Sequence, residues 1–60
     1  MMDTGRLVFD ADAPLTSLIG AIAVIERESG GEVFVRRMYL KPAKTENEEP
    51  KCVVLIQVDY

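Results

Sequence analysis

Histidine and tryptophan are absent from this 60-residue chain, and cysteine occurs once, at Cys52. A lone cysteine excludes an internal disulfide, and without histidine the usual zinc and iron–sulfur ligand sets are gone as well. The same lack leaves the hydroxyls of Thr16 and Ser17 with no imidazole to activate them, so nucleophilic catalysis is not expected. Long apolar runs are missing too. The most apolar stretch, Leu18 to Ile25, breaks at Glu26 and is too short for a membrane span or the apolar region of a signal peptide. Positive charge is scarce, with seven basic against ten acidic residues and a net charge of −3. No basic stripe is available to displace counterions from phosphates, and Arg36-Arg37 is the one basic cluster, so neither nucleic acid nor membrane is an expected partner. A cytoplasmic domain is the reading that remains, and the free thiol of Cys52 is compatible with a reducing compartment.

What the chain does have is apolar content, 48 % of its residues. A domain this small buries only about 60 % of its unfolded surface, and one core supplies roughly 3–5 kcal/mol. Small domains supplement that with disulfides, metal or association, and only association is left here. A homo-oligomer, a dimer in its simplest form, is therefore expected.

The apolar pattern changes period along the chain. Leu7 and Phe9 alternate with Arg6, Val8 and Asp10, which predicts a strand with one buried face. Pro14 suits the first turn of a helix, with Asp12 as its N-cap. Leu15, Leu18, Ile19, Ile22 and Ile25 then recur at helical spacing, and Ser29-Gly30-Gly31 supplies a glycine for the helix end. The back of this helix carries Thr16, Ser17, Gly20, Ala21 and Val24, small or apolar where long charged side chains are usual. A second surface packing there, with Gly20 allowing close approach, is one reading; tolerated small residues are the other.

From Gly31 the chain reads as a second strand, Val33 to Leu40, whose alternation fails at Arg36-Arg37. A β-bulge at that pair brings Val33, Val35, Met38 and Leu40 to one side. Residues 41–51 form a polar connection bracketed by Pro42 and Pro50, a mobile hairpin loop. In the last strand Gln57 and Asp59 mark the wet face, so Cys52, Val54, Ile56 and Val58 face the core, with Tyr60 next in the same alternation.

A single α+β domain over 1–60 follows: a βαββ half of a ferredoxin-like sandwich, with a three-stranded antiparallel or mixed sheet and one helix on one face. The third strand inserts between the first two. This leaves the first strand as an unprotected edge and Val8, Val53 and Leu55 on the uncovered face, an expected oligomer interface together with Gly20, Ala21 and Val24.

No paired acid and base is visible, so an enzyme is not expected. Asp10 and Asp12 have no third ligand nearby and read as cap and solvated loop rather than a magnesium site. Gly30-Gly31 is a turn signal, too weak for a phosphate loop. Cys52 lies in an apolar strand and reads as packing.

The run from Asp10 to Gly20, with Gly31 to Val35, Tyr39-Leu40-Lys41-Pro42 and Val53 to Val58, resembles the ACT domain, especially that of acetolactate synthase small regulatory subunits, in minimal or truncated form. ACT domains are βαββαβ modules that pair side by side and commonly bind amino acids at the pair interface, regulating an attached or associated enzyme. The resemblance implies a non-catalytic regulatory or assembly module, no cofactor, a biosynthetic enzyme subunit as partner, and a ligand loop at Asp10, Asp12, Ala13, Thr16 and Ser17. Two departures bear on the ligand: Pro14 lacks an N–H donor, and Asp10 and Asp12 repel an anion. They favour a protein partner over a free amino acid. Dodecins, flavin-storing hollow assemblies, resemble the chain in element order, but their flavin-stacking tryptophan has no counterpart. A plain interaction protein that caps a partner's sheet edge is the third reading.

Overall fold

Each segment whose apolar spacing marks a strand or helix forms that element, and the differences lie at the ends. The computed structural model spans residues 1–60 and orders them as β1 (Met2–Asp10), α1 (Leu15–Ser29), β2 (Glu32–Lys41) and β3 (Lys51–Asp59). The sheet order is β1-β3-β2. Both outer strands run antiparallel to β3, so the sheet is antiparallel and not mixed.

β1 begins four residues before the expected start at Arg6, because the far end of β3 offers it a partner: Met2 lies opposite Asp59 and Gly5 opposite Ile56. The bulge falls where the arginine pair predicts it. The β2–β3 register shifts between Val35 and Arg37, which sets Val33, Val35, Met38 and Leu40 opposite Val58, Ile56, Val54 and Cys52. Directly opposed residues share a face, so all eight lie on the same side as Leu7 and Phe9.

The expected cap is not Asp12. Pro14 holds the N-cap position in extended conformation (φ −68°, ψ 149°) with no side-chain cap, and its carbonyl accepts the Ser17 N–H at 2.9 Å. A proline at the N-cap loses no intrahelical bond, but it has no side-chain acceptor, so the first-turn N–H groups of Leu15 and Thr16 are left to solvent. At the other end Gly30 adopts φ 73° and donates its N–H to the Glu26 carbonyl, the left-handed ending the sequence predicts.

The core is small. Four of 60 residues are buried, Val53, Val54, Ile56 and Val58, all on β3. Leu7, Phe9, Leu18, Ile25 and Val33 pack against them while partly exposed, and α1 buries no residue completely. Leu15 and Ile19, read from the sequence as part of the inward stripe, are 66 % and 59 % exposed. One helix about 10 Å wide cannot roof three strands. Val35, Met38 and Leu40 are on the helix side of the sheet yet mostly exposed for the same reason.

Candidate functional site

Two places concentrate polar groups: the β1–α1 loop and the face of the sheet away from the helix. In the loop and first helical turn half of the backbone donors are used, while the N–H groups of Asp12, Leu15 and Thr16 have no partner within the chain. Ala11 N–H donates to the Pro50 carbonyl at 3.2 Å, Ala13 N–H to the Asp10 carbonyl at 3.0 Å, and Ser17 N–H to Pro14. Asp10 accepts a hydrogen bond from Lys51 Nζ at 2.5 Å, the one ion pair in the molecule. That hydrogen bond and the Asp10 charge hold the Lys51 ammonium above its ordinary value of 10.5, with Glu49 and Asp12 adding smaller pulls in the same direction.

The loop residues do not converge. Asp10 and Ala13 line an apolar cleft of about 80 Å³ with Phe9, Leu15, Leu18 and Met38. Asp12 borders a separate polar hollow with Asp10, Glu49 and Pro50. Thr16 and Ser17 line neither and stand exposed on the first turn of α1. The apolar cleft is far below the roughly 300–1,000 Å³ of ordinary ligand pockets.

Of the residues expected at an interface, Val8 is 51 % and Val24 41 % exposed, and Gly20 has open space around it. Ala21 and Leu55 are half-buried. Val53 is only 2 % exposed although no layer covers it, because Val8 and Tyr39 flank it across the strands. It therefore offers little surface to a partner.

Cross-strand rows define the open face. Val8, Val53 and Tyr39 form one; the next brings Arg6 beside Leu55, with Arg37 on its other side. The bulge inserts Arg36 in that second row, and Arg36 shares with Thr4, Arg6 and Leu55 the walls of a shallow depression. The Arg37 guanidinium stacks 5.1 Å from the centre of the Tyr39 ring. None of the three arginines has an ion pair. In the sequence Arg6 stands out only by its alternation with Leu7, and that alternation already places it on this face.

Near the sheet's other end, the Tyr60 hydroxyl donates to Asp3 at 2.9 Å, and that bond, with some burial, holds the phenol above its ordinary 10.0. No helix is long and apolar enough to cross a membrane. Comparison with protein-family models, with curated proteins and with solved structures found no match for this chain.

Proposed function

We propose that this chain is a non-catalytic module that self-associates and acts by binding a protein partner, assembling or regulating it. The observation that carries this reading is surface left uncovered. A compact monomer of this mass exposes about 3,900 Å², whereas the chain exposes 4625 Å². The excess of about 700 Å² is close to the ~800 Å² that each partner buries in a standard interface. Its radius of gyration of 12.8 Å likewise exceeds the ~10 Å of a compact domain of this length.

The surface proposed for the contact surrounds the apolar cleft. Leu15, Ile19, Met38 and Leu40 are each more than half exposed and lie at the same end of the helix side, where Leu15 and Met38 share the cleft wall. A second copy laid helix side to helix side covers this patch in both chains. The ACT resemblance supports a regulatory role toward an enzyme subunit, and a cytoplasmic setting belongs to the same proposal. A free amino acid is the weaker reading of the loop, because Asp10 is held by Lys51 and the cleft is small.

Light scattering on chromatographed Leu15→Glu and Leu40→Glu variants tests the proposal, with Thr16→Glu as control. The first two are expected to run as monomers and the control at wild-type mass. Equal masses for all three would remove the helix-side patch from the interface.

A further inference from the structure

We infer that the arginine row on the open sheet face receives the acidic loop, Glu46 to Glu49, of another copy of this chain. The inference rests on the self-association proposed above and adds a second contact to it. When helix sides pair, the open faces of that dimer point outward. Arg6, Arg36 and Arg37 are then left unpaired on the outside.

Charge identifies the occupant. Lys41 and Lys51 bring the open face to five positive charges against Asp10, Glu32 and Asp59, an excess of two in a chain whose total is −3. The remaining surface is correspondingly acidic, and the densest part of it is the β2–β3 loop, with Glu46, Glu48 and Glu49 in four residues. Glu48 accepts the Lys44 N–H at 3.2 Å, while Glu46 and Glu49 have no ion pair in their own chain. The three arginines span β1 to β2, about 10 Å across two strand spacings, and the loop meets them as a turn, closed by the Glu48 N–H donating to the Thr45 carbonyl at 3.2 Å. Guanidinium forks suit carboxylates in this arrangement, and exposed Tyr39 and Phe34 border the row.

Stacking two open faces centre to centre is excluded by the same charges. Leu55 lies at the middle of β3, so that packing sets one arginine row on the other. A loop entering from a copy outside the dimer has no such conflict. The helix-side contact makes dimers, and the loop-on-arginine contact joins them into larger assemblies.

The test is a charge swap read by sedimentation velocity. Wild-type protein at low ionic strength is expected to exceed the dimer mass, and to fall to the dimer in about 1 M salt, where the screening length is about 3 Å. Arg36→Glu with Arg37→Glu, and separately Glu46→Lys with Glu49→Lys, should each stop at the dimer with wild-type circular dichroism. An equimolar mixture of the two variants should regain the larger mass, since every contact between unlike chains is again complementary. Wild-type protein that remains a dimer at low salt, or variants that assemble as it does, would overturn the inference while leaving the helix-side dimer standing. A wild-type monomer overturns both.

Discussion

Gly31→Ala should be among the most damaging single-methyl additions available to this chain. A Cβ at Gly31 comes 2.6 Å from the Asp59 carbonyl oxygen and 3.1 Å from both the Asp59 carbonyl carbon and Val58 Cγ1. Backbone gives way less readily than a side-chain tip, and Asp59 is held on both sides, opposite Met2 and Glu32. The methyl must push the end of β3 out of register or move the helix exit. Overpacking of this kind costs about 1–3 kcal/mol, a large share of the roughly 3–5 kcal/mol that one small core supplies. For a domain of this size each kcal/mol lowers Tm by about 4–8 °C. Gly20→Ala is the opposite case: nothing lies within 4 Å of the added methyl, and the site is in mid-helix. It should raise stability by about 0.5–1 kcal/mol. Melting curves followed by circular dichroism, at one protein concentration because association shifts Tm, compare the two. Equal Tm for Gly31→Ala and wild type would show that the β2 entrance is looser than its geometry implies, and the steric argument would fail.

Other outcomes follow from the same geometry. Val54, with no exposed surface, anchors the core cluster, and Val54→Ala should cost about 2–3 kcal/mol in urea unfolding, from two lost methyl groups and the cavity they leave. Tyr60 and Lys51 both bind their protons more tightly in the folded chain than their ordinary 10.0 and 10.5. The stability they contribute is complete below those values and is lost as pH rises through the higher folded ones, so Tm should fall on the alkaline side. Asp3→Ala removes the acceptor of the hydrogen bond chiefly responsible at Tyr60 and should bring phenolate absorbance in at lower pH. Valine, leucine and isoleucine should produce no saturable micromolar shifts in the amides of Ala11 to Ser17; such shifts would restore amino-acid sensing.

Much of the fold was legible because alternation reports direction. Leu7 and Phe9, the failure of period at Arg36-Arg37, and the Gly30 ending each marked a backbone feature that the chain adopts. Alternation does not report coverage. Leu15 and Ile19 carry the spacing of an inward stripe, yet whether anything lies beneath them depends on how much sheet one helix can span. Val53 shows the converse, buried on an uncovered face by its cross-strand neighbours. The extension of β1 to Met2 was hidden because Asp3 and Gly5, on either side of Thr4, have little strand propensity, and pairing with β3 decides their conformation. In the loop, sequence proximity suggested one site, while the backbone sets Asp10 between two hollows, one shared with Ala13 and the other with Asp12, and leaves Thr16 and Ser17 to solvent.

Self-association is the claim on which the rest depends, and sedimentation equilibrium on wild-type protein at moderate salt measures it directly. Across micromolar concentrations the mass should be at least twice the 6.7 kDa of one chain. A mass of 6.7 kDa throughout, from protein that still melts cooperatively, would contradict it.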